Sequence, residues 1–501
     1  MKTRSMIILA LLLILQIFLV ACGSSDSNVN YKDKDKIDGG ASESAADSYS
    51  GETETADARY TSDVPDMDFN GEKFRVLGVN PEVYVNYGID FDFEAETGDV
   101  LDDAIYRRNR NIEEKYNIKF ESTYLQTPGD SLTELRKFVL AGSDDYEMAM
   151  LITRDAFSAA LDEYLSPIGN IPYIDLSKPW YRSAVNDGFS MGGKKFLAYS
   201  DECLSMYMFT TSILFNKAYI ADYALEDPYA LVRNRTWTWD KFYEMAVAAI
   251  KDLNGDGKYD KDDIWGIIGE EDTFFPPVWM GSNLLLVEKN DGDMPVLTAP
   301  QNEGLLEIFE KIIDWQKTDG FFLNSFLVFG YDEASRAKGS ELFSSGHSLF
   351  KIGRITDILV LRGMDTDFGI LPLPKYNATQ ENYVSRMEDA WLHVVPASNT
   401  KLEMTGVIME VLAAKSKNNV IPAFFDIALK SKYSRDEESA ETLDILFNSV
   451  TVDIGDIIWY STVRGPICEQ ILAKKSGFAS TLERMTNQVD KLIEKIDEAV
   501  N

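Results

Sequence analysis

Histidine and cysteine are nearly absent: this 501-residue chain holds two of the first and three of the second. His347 and His393 lie far apart with no H-E-x-x-H spacing, so a histidine-built metalloenzyme centre has no motif to stand on. No Walker A loop or G-x-G-x-x-G fingerprint occurs, which removes the phosphate-loop and dinucleotide classes. Positive charge is also scarce. Lys and Arg number 49 against 82 Asp and Glu, a net charge of −33. That balance argues against nucleic acid and against a basic patch on anionic lipid. What is abundant is carboxylate, so a glycosidase-type acid pair stays open as a weaker alternative.

The one long apolar run is at the start. Lys2 and Arg4 precede an uncharged stretch from Met6 to Ala21, broken only by Gln16. This is the charged and apolar pattern of a secretory signal peptide, too short for a comfortable membrane span. It ends in Leu19-Val20-Ala21-Cys22, which resembles a bacterial lipobox. The expectation is a signal peptide over 1–21, cleavage before Cys22, and lipid (palmitate) on its thiol, against an ordinary signal peptide that happens to contain Cys. The protein is then held on the extracellular face of the cell membrane. Residues 22–66, rich in Ser, Asp, Gly, Ala, Glu and Thr, bury too little apolar surface to fold and are expected to be a disordered tether. Cys203 and Cys468 remain, either as one disulfide or as two buried thiols.

The remaining chain of about 435 residues exceeds what one core supports, so two lobes are expected. Its early part alternates strand and helix. Lys73–Val79 is a strand, Leu101, Ile105, Ile112 and Tyr116 share a helix face, Asn117–Glu121 is a strand, Ser131–Ala141 a helix and Tyr146–Ile152 a buried strand. Such alternation predicts a mostly parallel sheet, whose ligands lie beyond the carboxyl ends of its strands. Thr153, Arg154 and Asp155 fall there. Gly192–Tyr199 reads as a hairpin, and Tyr207–Asn216 as an extended link between lobes. Thr238 is placed as an N-cap for a helix from Phe242 to Leu253, with Trp237 and Trp239 packing beside it. Ser348–Ile352 is a strand leading to a helix at Gly353, Phe368–Pro374 an extended segment, and Trp391–Val395 a strand before a helix over Leu402–Lys415. A terminal amphipathic helix carries Leu482, Met485, Val489, Leu492 and Ile496.

The sharpest motif is Asp252-Leu253-Asn254-Gly255-Asp256-Gly257-Lys258-Tyr259-Asp260-Lys261-Asp262-Asp263. Asp252, Asn254, Asp256 and Asp260 put oxygen donors at positions 1, 3, 5 and 9 of a calcium loop, Gly257 stands at 6, and Lys258 offers its carbonyl at 7. Asp263 stands where a bidentate Glu is usual. A single loop predicts a structural Ca²⁺ rather than a sensor.

Lipobox, tether, alternating pattern and acidic charge together resemble extracellular solute-binding lipoproteins of bacterial ABC importers, closest to their large sugar-binding cluster (family 1-like, Gram-positive type). Ser345–Ile352 resembles the F-x-x-G-x-x-A-M strand entry, Phe368–Pro374 the G-x-x-P-x-P segment, Thr238-Trp239-Asp240 the T-W-[DE] helix start, and Leu214–Lys217 the Y-[YF]-N-K run. The Lys178–Tyr181 turn and the calcium loop recur in Gram-positive members. The resemblance implies an α/β, two-lobe, periplasmic-binding-protein-like (type II) fold with a hinge. Lobe 1 is expected over 67–205 with a returning segment at about 345–378, and lobe 2 over 206–344 and 379–501. It also implies capture of a carbohydrate, an oligosaccharide, between the lobes and delivery to ABC permease subunits by a monomer that is no enzyme. A peptide-binding, adhesion or sensing lipoprotein is the alternative, and a secreted glycan hydrolase a weaker one. By the same resemblance Asp155 is a sugar-binding carboxylate, Phe275 and Trp279 belong to an aromatic cleft loop, and Asp389 and Trp391 lie near the crossover. Trp180 and Arg354 are chemically suited partners for stacking and hydroxyl recognition.

Overall fold

A computed structural model describes residues 60–81, 91–361, 367–429 and 437–501. The expected signal peptide, Cys22 and residues 23–59 of the expected tether lie outside them. The folded body begins earlier than the expected boundary at Asp66. Tyr60 donates its N–H to Asn418 Oδ1 (3.1 Å) and accepts from Asn418 Nδ2 (2.7 Å), and Val64 packs on the first-lobe core.

The first lobe is built as its pattern predicts: β1 (Glu72–Val79), α1 (Val100–Tyr116), β2 (Ile118–Leu125), α2 (Pro128–Leu140), β3 (Met148–Ile152) and α3 (Thr153–Leu161). Asp99 caps α1 by accepting from the N–H groups of Leu101 and Asp102, and Asn117, in the left-handed region at φ 49°, stops it. Every residue of β3 is buried, the mark of an inner strand. The chain then crosses to β4 (Thr211–Asn216), α4 (Trp239–Ala249), β5 (Trp265–Gly269), α5 (Glu271–Gly281), α6 (Glu303–Trp315), β6 (Phe322–Asn324), α7 (Ser325–Phe329), β7 (Ser348–Arg354) and β8 (Phe368–Leu371). It returns for β9 (Trp391–Val394) and α8 (Leu402–Lys415), and ends with α9 (Arg464–Leu472) and α10 (Ala479–Val500).

Two sheets organise these elements. The first runs β9-β3-β1-β2, with β1 parallel to both β2 and β3, and β9 antiparallel to β3 so that Trp391 faces Ile152. The second runs β8-β4-β7-β5-β6, with β5 parallel to β6 and β7. The returning segment is therefore not 345–378. β7 and β8 belong to the second sheet, and β9 with α8 completes the first lobe instead. The sequence cue was misleading because Ser348–Arg354 and Trp391–Val394 are equally apolar strands, and only pairing decides their sheet.

The lobes meet where three segments lie side by side. Thr210 bridges Met387, Glu388 N–H donates to Phe209 O (3.0 Å), and Ser385–Arg386 pairs in parallel with Val450–Thr451. α10 straps both lobes: Thr481 bonds Gln470 at 2.6 Å in the second, while Lys495 pairs with Asp162 at 2.8 Å in the first. Its Leu482, Met485, Val489 and Ile496 form the buried stripe expected. Three local readings changed. Residues 192–199 hold only a Met191–Lys194 bridge, Ser205–Met208 is a helical turn before β4, and β7 runs through Gly353 to Arg354.

Candidate functional site

The carboxyl ends of β1, β2 and β3 and those of β5, β6 and β7 mark the crevice, by the rule for parallel strands. Below Ile152 the chain turns directly into α3, so Thr153, Arg154 and Asp155 form a helix turn rather than a loop. Thr153 Oγ1 donates to Ala390 O at 2.6 Å and fixes this turn to the crossover. Arg154 donates its backbone N–H to Asp389 Oδ1 (3.2 Å), and its guanidinium pairs with Oδ2 (2.6 Å). Burial pushes the Asp389 carboxyl up to about 6 against the pull of Arg154, and burial likewise raises Asp155.

The guanidinium of Arg154 lies 5.1 Å from the centre of the Tyr460 ring, with Arg464 at 5.4 Å from the same ring. Tyr460 is 38% exposed, an aromatic face open at the crevice. Beneath it runs a chain of buried charges. Arg464 pairs with Asp456 (3.2 Å), Asp456 takes both Nε and Nη2 of Arg386 (2.7 and 3.2 Å), and Glu388 pairs with Arg354 (2.8 Å). Burial opposes ionisation of Glu388, but Arg354 and Arg386 hold its carboxyl well below the usual range. On the second lobe Arg336 joins Glu270 (2.8 Å) and Asp272 (2.7 Å), and Asn324 Nδ2 donates to Glu271 (2.7 Å). The rim thus offers aromatic faces, carboxylates and guanidinium groups, a set suited to polyhydroxyl ligands.

Of the residues singled out from sequence, Asp155 and Asp389 come together at this rim with Arg154. Arg354 is buried in the hinge, against Glu388 and 4.8 Å from the Phe209 ring. Trp180, Phe275 and Trp279 are corrections: all three are core. Trp180 is buried beside Tyr181 and donates Nε1–H to Glu410 (3.2 Å). Phe275 and Trp279 sit inside α5, which continues through Pro276 and Pro277 where the resemblance implied a loop. Trp391 is also buried, lining a cavity of about 30 Å³ beside Arg108 and His393, room for a water or two and not for a sugar. Trp237 and Trp239 pack in the core as expected. Sequence reasoning missed Tyr460, Arg336 and Arg464. No local signal marks them, because a crevice is assembled from segments far apart in the chain.

The calcium-type loop is curled around its own oxygens. Asp252 accepts from the N–H groups of Gly255 (2.6 Å) and Gly257 (2.8 Å), Asn254 from Asp256, and Asp256 from Lys258 (both 2.8 Å). Those amides hold the Asp252 carboxyl below its ordinary range. Gly255 and Gly257 take φ of 73° and 77°, which the sharp turn requires. Asp263 is buried and spends both oxygens on backbone amides, those of Leu253 (2.8 Å) and Asp260 (2.9 Å). It braces the loop's two ends. Among the described residues no three acidic, His or Cys side chains converge as a metal cluster. Asp252, Asn254, Asp256, Asp260 and the Lys258 carbonyl are all oxygen donors, the chemistry a hard cation takes. Cys203 and Cys468 are both free and buried thiols, and burial pushes Cys468 up to about 12. No described helix is long and apolar enough to cross a membrane.

The sequence matches no protein-family model and no curated protein. Solved structures match it over nearly their whole length. A cyclo/maltodextrin-binding protein in complex with maltotetraose is 14% identical with a TM-score of 0.55, over 85% of this chain and 97% of that one. The extracellular solute-binding protein of Staphylococcus aureus with maltose gives 12% and 0.57, over 86% and 99%. The galacto-N-biose/lacto-N-biose I-binding protein of the Bifidobacterium longum ABC transporter gives 11% and 0.56, over 86% and 98%. The chain has the two-lobe α/β fold of these solute-binding proteins.

Proposed function

We propose that this chain is the solute-binding protein of an ABC importer, capturing an oligosaccharide in the crevice between its lobes and handing it to permease subunits. The observation that carries this reading is the match of fold over the full length of proteins that hold maltotetraose, maltose or lacto-N-biose. The crevice chemistry supports it: Tyr460 offers a stacking face, and Arg154, Asp155 and Asp389 offer groups that bond hydroxyls. The protein acts as a monomer and is not an enzyme. Around the crevice Glu388, Asp456, Glu270 and Asp272 are each held by an arginine, and the non-enzyme reading rests on the likeness to binding proteins.

The same reading places lipid on Cys22 and the protein on the extracellular face, supported by the leader pattern. It places one structural Ca²⁺ in the loop, with Asp252, Asn254, Asp256, Asp260 and the Lys258 carbonyl as donors and Asp263 as brace. The test is a thermal-shift screen against mono- and oligosaccharides, amino acids and peptides, since a ligand of the native state raises its stability by RT ln(1 + [L]/Kd). A sugar that raises the melting temperature, with Tyr460→Ala weakening its binding about tenfold, supports the assignment. A response to peptides alone refutes it.

A further inference from the structure

A groove of about 530 Å³ follows the outer edge of the second sheet, along β6. Its walls are β6, the turn at Gln316–Gly320, the calcium-type loop at Lys258–Tyr259, and α7. The chain has eight tryptophans, and seven of them are buried; Trp265, in this groove, is the one that keeps part of its surface at solvent. Its Nε1–H donates to Asp260 O at 2.7 Å, and the Tyr259 ring meets it edge-on at 5.9 Å and 68°. Gly320, at φ 77°, lets the phenol ring lie down on the backbone: a Cβ there would come within 2.8 Å of Tyr259 Cε1. The aromatic pair is thus held in place by backbone on both sides. At the other end Leu327 and Val328 are 59% and 49% exposed, and Asn324, shared with the crevice rim through Glu271, leads the groove toward the crevice.

We propose that this groove is a second carbohydrate-binding surface, taking a linear neutral glycan that lies across Tyr259 and Trp265 and runs toward the crevice. The proposal rests on the carbohydrate reading above. Its volume falls in the range of small-ligand sites, and it joins apolar faces to exposed polar groups, Asp319 and Lys474. A peptide added as a strand fits less well. β6 is three residues long, so its outer edge offers too short a ladder.

Because the other tryptophans are buried, acrylamide quenching of the full-length protein reads Trp265. The probes are maltohexaose, cellohexaose, mannohexaose and xylohexaose, with a random-sequence peptide mixture as comparison. At least one glycan is expected to shield Trp265. Leu327→Arg, which alters an exposed side chain and leaves the fold alone, weakens that shielding about tenfold. Trp265→Phe removes the quenchable signal while the thermal shift persists, and Arg154→Ala lowers the thermal shift while shielding persists. A glycan that shifts the melting temperature without shielding Trp265 overturns the groove and leaves the crevice reading intact. Shielding by peptides and by no glycan overturns it in favour of a peptide surface. If no glycan produces either response, groove and transport reading fall together.

Discussion

Trp279 decides between core and cleft, and its surroundings set the size of the effect. It is wholly buried, its ring meets Phe309 edge-on at 5.4 Å and 86°, and Nε1–H has no acceptor among the described residues. Trp279→Ala removes the ring and leaves a cavity, so urea unfolding should lose about 3–5 kcal/mol. Trp279→Phe keeps one ring against Phe309 and deletes the orphaned N–H, whose burial costs about 1–3 kcal/mol. The lost apolar area is then largely offset, and the net loss should be about 1 kcal/mol. Calorimetric sugar affinity should stay unchanged in both variants. Trp279→Ala with near-native unfolding and a tenfold loss of affinity would refute the placement in the core and restore this residue to the crevice.

Three further outcomes are expected. EDTA should lower the melting temperature of the native protein, and Asp256→Ala should lower it equally and abolish the response to EDTA; no change in either shows the loop to be a self-bonded turn. Cys22→Ser should release the protein from the membrane or leave an uncleaved precursor, read by cell fractionation, and unchanged membrane association counts against a lipid anchor. Asp389 is held above its ordinary range of 3.8, at about 6, so its contribution to stability is complete below pH 4 and is lost as pH rises through about 6. Across that window the loss from this group should approach about 3 kcal/mol. Asp389→Asn should flatten that part of the pH profile, and an unaltered slope would assign it to other carboxyls.

The strand–helix order from β1 to β3 was legible because its periodicities are local: Ile105, Ile112 and Tyr116 fall on one helix face, and Met148–Ile152 is apolar throughout. Thr238 was legible as a cap, its side chain accepting from Lys241 N–H. Lobe membership was not, because β7 and β9 differ in partner and not in composition. The same holds for aromatic residues. Trp279 and Trp265 have equal chemistry in sequence, yet α6 covers one and the open sheet edge beside β6 exposes the other. Asp155 was found because topology places the end of β3, and Asp389 through the family resemblance, whereas Tyr460 lies in a segment with no periodic signal.

The late arrival of β9 bears on how the chain is made. β3 takes Trp391–Val394 as its antiparallel neighbour, and these residues are synthesised some 240 residues after it. Until then Met148–Ile152, buried on every side in the finished lobe, has one edge open. A nascent first lobe of residues 60–205 is therefore an unfinished sheet with an adhesive border, not a domain waiting for its partner. Anything that halts synthesis or transit between the two lobes leaves that border bare, and a chaperone or rapid completion has to cover it.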